Sequence, residues 1–153
     1  ISIEAIKTVI DDEGNIYTIS NQQDFGNTVC YITKLNKFGD LIWNRIFFSR
    51  NDYFATAINL FINGTGLIRI IGTYQYWDGN TTEYGTFTTS FDSSGNQIQF
   101  GQQQISLPIQ YWATPKLDKE DNIYVPFTVV EPSTYTDILI AKMLSKKTTD
   151  KTS

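Results

Sequence analysis

The chain is predicted to be all-β, built from three four-stranded antiparallel units of roughly fifty residues each, the third incomplete. Three observations predict this. Asn, Thr, Ser, Gln, Gly and aromatic residues are frequent and long runs of Ala, Leu, Glu and Lys are absent, a composition that suits strands rather than helices. Compared with itself, the chain aligns Asp11-Asp12-Glu13-Gly14-Asn15-Ile16-Tyr17 with Asp118-Lys119-Glu120-Asp121-Asn122-Ile123-Tyr124, and a weaker middle copy lies at Asn63-Gly64-Thr65-Gly66-Leu67-Ile68. Each copy is followed by a polar, aromatic-containing loop and another strand pattern, at 29–35, 85–91 and 137–144.

The elements follow in order. Ile3, Ile6 and Ile10 fit one helical face, but their β-branching and their place in the pattern favour a strand. In the turn at 11–15, Asp or Asn hydrogen-bonds the backbone ahead and Gly or Asn takes the positive-φ position. Turns of the same chemistry at Asn36-Lys37-Phe38-Gly39-Asp40 and Asp92-Ser93-Ser94-Gly95-Asn96 lead into strands at 41–48 and 97–101. The acidic cluster Asp11, Asp12, Glu13 lacks the alternating ligands and distal Glu of a calcium loop, so these side chains read as turn geometry and no metal site is expected. One domain is expected over 1–144, with units at about 1–53, 54–110 and 111–144, followed by a polar tail at 145–153. The chain is long enough to bury a core without metal or disulfide staples.

The pieces Ala55-Thr56-Ala57-Ile58, Gly14-Asn15-Ile16-Tyr17, Asn122-Ile123-Tyr124-Val125, Ile140-Ala141-Lys142-Met143 and Gly39-Asp40-Leu41-Ile42-Trp43 resemble the SBBP repeat family, named for seven-bladed β-propellers. The resemblance implies an open or partial β-propeller of about three blades, in a secreted or surface-exposed protein, and it implies no catalytic residues; the expected location is extracellular, cell-surface or virion-associated. Closed propellers need four to eight blades. Three expectations follow: two chains close one ring, the chain is a piece of a longer propeller, or the blades stack on other subunits. The opening strand 1–4 would complete the third unit's missing outer strand, and in a dimer that exchange would be between chains. The start at Ile1 rather than Met fits a processed form or a piece of a longer polypeptide.

Functional chemistry is sparse. The chain contains no histidine, which removes the commonest general base and most zinc sites. Apart from Glu83 and Glu131, most acids fall in turns or at strand ends. No phosphate loop, CxxC pair or HExxH motif is present, so neither catalysis nor a cofactor is expected. The net charge of −4 with scattered Lys and Arg argues against nucleic acid, and no apolar run reaches membrane-span length. The single cysteine, Cys30, sits in an apolar strand pattern and reads as a buried thiol. Trp43 reads as core. Two glycosylation sequons, at Asn63 and Asn80, are expected by chance in so Asn- and Thr-rich a chain.

The candidate binding site is the connection at 74–84, with Tyr74, Tyr76, Trp77, Asp78, Asn80 and Tyr84 as ligand or partner contacts. Flat rings bury much area at low entropic cost, and Asp78 and Asn80 offer hydrogen bonds. Tyr53, Phe54, Tyr111 and Trp112, which would neighbour this stretch, read as packing residues at the start of inner strands. A non-catalytic structural or interaction module is expected, its partners copies of itself or other protein subunits. The alternative is a carbohydrate-binding module that uses the Trp77 loop.

Overall fold

The computed structural model describes residues 2–24, 27–105, 108–130 and 136–143. The expected tail, Glu131, and the side chain of Tyr111 lie outside what it describes. Among the described residues every regular element is a strand, and the strands form three separate four-stranded antiparallel sheets. The first runs β1 (Ser2–Ile10), β2 (Ile16–Asp24), β3 (Asn27–Leu35) and β4 (Leu41–Arg50), in that order. The second runs β5 (Tyr53–Ile62), β6 (Ile68–Trp77), β7 (Thr82–Phe91) and β8 (Gln97–Ile105). The third holds β9 (Ile109–Trp112), β10 (Lys116–Leu117), β11 (Ile123–Val130) and β12 (Thr136–Met143). Two compact units result, Ile1–Ser106 with the first two sheets and Leu107–Ser153 with the third.

This architecture corrects the propeller expectation and, with it, the resemblance to the SBBP repeats. The strands of each sheet pair only within that sheet, and no closure joins the sheets into a ring of blades. Nor is the chain a string of equivalent repeats. In the third sheet β9 and β10 both pair with β11, whose other neighbour is β12. The opening segment is not free to complete that sheet either, because β1 is one strand whose first residues pair with β2, Ser2 against Gln23 and Glu4 against Asn21. The physical reason for the discrepancy is local. The matching motifs encode a hairpin turn and the strand after it, and such hairpins occur in many sheet architectures.

The turn chemistry itself is as the residues imply. Asp11 Oδ1 accepts hydrogen bonds from the N–H groups of Glu13 (3.0 Å) and Asn15 (2.8 Å). Asn36, Asn63, Asp92 and Asp118 accept in the same way from residues two and four ahead. The fourth residue of each turn has positive φ and is Gly14, Gly39, Gly66 or Gly95, with Asp121 at φ 62° in the last. Asp tolerates this left-handed conformation better than most residues do.

The core of the larger unit lies between its two sheets. Tyr17, Ile19, Cys30 and Ile32 of β2 and β3 face Ala55, Ala57, Ile70 and Phe87 of the second sheet. Cys30 is fully buried, and burial pushes its thiol up to about 12. A bulge in β4 lets Phe47 and Phe48 both point inward, and Phe48 packs 4.9 Å from Phe87. Trp43 is buried against Phe91, 6.5 Å between stacked rings. The first sheet also holds the β7–β8 turn of the second. Lys34 Nζ and Trp43 Nε1 donate to the Ser93 carbonyl (3.0 and 3.2 Å), and Arg45 Nε donates to that of Gly95 (3.1 Å).

The opposite face of the first sheet is different. Register places four rows across its four strands: Ile10-Ile16-Leu35-Leu41, Thr8-Thr18-Thr33-Asn44, Ala5-Ser20-Tyr31-Ile46 and Ile3-Gln22-Val29-Ser49. No position in these rows carries a charge. The face is open: Ile10 is 67% exposed, Leu41 65%, Ile46 55% and Ile3 70%.

Two predictions follow from the turns and the core. Asp118 is held down to about 2, chiefly by the Asn122 side-chain amide, and Asp92 is lowered chiefly by the Asn96 N–H. At Asp11 burial pushes upward, but hydrogen bonds from Asn15, Tyr17 and Glu13 outweigh it. A folded value below the unfolded one of about 3.9 stabilises the fold above that pH, and the contribution fades as pH falls through the folded value. Asn36 and Asn63 accept the same two backbone bonds with an uncharged amide at the first position of the turn. The triple variant D11N/D92N/D118N is therefore expected to fold at neutral pH and, in urea titrations, to lose less stability on acidification than the parent. Parallel acid limbs would contradict this. At Gly72 an added Cβ would collide with the Phe87 ring and the Thr56 carbonyl oxygen. Gly72→Ala is expected to cost on the order of 1–3 kcal/mol, and an unchanged urea midpoint would refute the tight packing at that site.

Candidate functional site

The connection at 74–84 is the end of a hairpin, and strand alternation decides where its side chains point. Tyr74 and Tyr76 lie on the face of β6 that looks toward the first sheet, in line with Ala55 and Tyr53 of β5. Trp77 lies on the other face, on the side of Phe54, Gln75 and Tyr84. The six predicted residues therefore do not form one site.

Tyr74 is a core residue. It is buried, and its hydroxyl donates to Glu83 Oε1 at 2.7 Å. Burial, and then the Glu83 carboxylate, push that hydroxyl well above the ordinary tyrosine range, so it stays protonated. Glu83, one of the two acids the sequence left outside turns, thus serves as an acceptor for a buried tyrosine. Tyr76 stacks on Tyr53 at 4.5 Å between ring centroids. Tyr53 in turn packs on Phe48 and Tyr74, and the Arg50 guanidinium lies over Phe48, Tyr53 and Phe100 at 5.4–5.5 Å. Tyr53 thereby fulfils the packing role expected of it. Phe54 and Trp112 do not, being 50% and 43% exposed.

Asp78 is the acceptor that closes the β6–β7 turn. Its Oδ1 accepts from the N–H groups of Asn80 and Thr81, both at 2.7 Å, and its Oδ2 from the Thr81 hydroxyl at 3.1 Å. These bonds, the Thr81 N–H first, hold its carboxyl below the usual range. Gly79, at φ +98°, supplies the left-handed residue. Asn80 is exposed beside it. What remains available for contact is an aromatic strip on one face: Trp77, 52% exposed, with Phe54, Gln75 and part-exposed Tyr84.

A polar cleft of about 530 Å³ lies at the opposite ends of the strands, between the turn at 11–15 and the turn at 63–67. Asp11, Asp12, Glu13, Tyr17 and Lys34 line it. Asp11 spends both carboxylate oxygens on its own turn and on Tyr17, and Lys34 is committed to the Ser93 carbonyl. Among the described residues no group of three or more His, Cys, Asp or Glu side chains could hold a metal ion. Among the same residues no helix is long and apolar enough to cross a membrane.

The feature that sequence reasoning missed is the uncharged open face of the first sheet. Strict alternation would have revealed it, but bulges at Ile6, Ile42 and Phe47 shift the frame within β1 and β4. Protein-family models provide no match to the chain, and comparison with curated proteins finds no relative; what it does must be argued from its own surface.

Proposed function

We propose that the chain is a non-catalytic structural or interaction module that assembles with other protein subunits, as a component of a surface layer, filament or virion. The observation that carries this reading is the open face of the first sheet: four strands wide, with four successive rows free of charge, and edged by exposed Ile and Leu. Soluble monomers rarely leave such a contiguous surface to water, and depletion of charge marks the centre of protein interfaces. Lack of histidine and the commitment of Asp11, Asp78, Asp92 and Asp118 to turns support a role in binding rather than chemistry. Light scattering is expected to give a mass above the 17.5 kDa of one chain. A chain that stays monomeric at high concentration and cross-links to no protein in its native setting would end this reading.

A second reading is favoured by a separate observation, the exposed strip of Trp77, Phe54 and Tyr84 beside the Gln75 amide. Sugars stack their apolar faces on such rings and bond to adjacent amides. On a glycan array, binding that weakens about tenfold on Trp77→Ala is the expected outcome, the loss of roughly 1.4 kcal/mol. Absent or unaltered binding would remove the idea.

A further inference from the structure

We propose that a second copy of this chain covers the open face of the first sheet, sheet on sheet, about a two-fold axis parallel to the strands; this rests on the assembly reading and names its partner. The axis direction follows from the rows. A two-fold perpendicular to the strands would lay the apolar row Ile10-Ile16-Leu35-Leu41 over the opposite end of the face. An axis parallel to them keeps every row over its own counterpart, with β1 above β4 of the other copy and β2 above β3.

Side-chain size then complements itself. Ile10 meets Leu41 in the apolar row. In the third row Ala5 meets Ile46 and Ser20 meets Tyr31, small against large on both sides of the axis. The polar groups of the face already satisfy one another laterally: Thr8 with Thr18 (2.9 Å), Thr33 with Asn44 (3.0 Å) and Tyr31 with Gln22 (3.1 Å). At these pairs the cost of burying a polar surface is reduced, while the Ser20 and Ser49 hydroxyls and the amide N–H groups of Gln22 and Asn44 take part in none of these bonds.

Charge and area agree. Each chain carries a net charge of −4, so association through an acidic surface would be opposed. The four rows bring no charge against their copies, the row beyond them pairing Asp24 with Asn27, and the parallel axis sets the acidic turn at 11–15 of one copy beside the 36–40 turn of the other, which carries both Lys37 and Asp40. Four strands of nine or ten residues span about 19 by 30 Å. Covered by a copy, such a face presents about 570 Å² per partner, at the low end of specific interfaces.

The test is a charge swap read by sedimentation velocity on the full chain. The parent is expected to be a dimer. Ile10→Lys and Leu41→Glu should each weaken association at least tenfold, since each buries an unpaired charge. An equimolar mixture of the two should recover a dimer, because the new ammonium of one copy faces the new carboxylate of the other. Both positions are solvent-open, and far-UV circular dichroism checks that each variant folds. If either fails to fold, Thr18→Arg in the neighbouring row takes its place and is expected to give a folded monomer. A monomeric parent overturns the inference, and cross-linking of that monomer to a different protein would leave the assembly reading standing. A dimer that survives in every variant also overturns it and moves assembly to another surface. Variants that dissociate and do not recover on mixing overturn the two-fold arrangement.

Discussion

Strand register is the constraint on which this structure depends, and one side-chain oxygen in each of five turns sets it. Asp11, Asn36, Asn63, Asp92 and Asp118 each tie down two backbone N–H groups, which fixes the loop length and therefore which residues stand opposite one another. A slip of one residue would turn Tyr17, Ile19, Cys30 and Ile32 to water and the Thr and Gln of the opposite face inward. The core and the uncharged face are two consequences of the same register.

The seam between the first two sheets shows how the register is used. Aromatic rings from β4 and β7 meet there, and glycines stand where a ring from the next strand must lie flat: Gly72 opposite Phe87, and Gly85 opposite Tyr74. Lys34, Trp43 and Arg45 then bind the carbonyls of the 92–96 turn, so polar groups that would be stranded at the edge of the seam are satisfied across it. The Arg50 guanidinium over three rings, itself bonded to Gln102 at 2.7 Å, closes the other end.

This economy also explains why the candidate contact residues separated. Tyr74 and Tyr76 belong to the seam, and Asp78 belongs to its turn; Trp77 and Tyr84 face outward together with Phe54, which the sequence read as a packing residue, and Gln75, which it did not single out. A run of aromatics in one strand is shared between the two faces of a sheet by the two-residue period. The polar cleft beside Asp11 follows the same logic, because its acids are turn residues first.

The sequence by itself determined the strands and turns. Composition, β-branching and the Asp/Asn-to-Gly spacing are local signals, and they placed the hairpins, the turn chemistry, the buried Cys30 and the core Trp43. The same signals suggested equivalent blades of a propeller, because a hairpin motif carries no information about how one sheet meets another. Only the tertiary structure decided that the sheets remain separate, that the third is connected differently, and that bulges in β1 and β4 align four uncharged rows on one face. Those outcomes depend on which residues stand opposite across strands distant in sequence, and a single residue inserted by a bulge reverses every side chain beyond it.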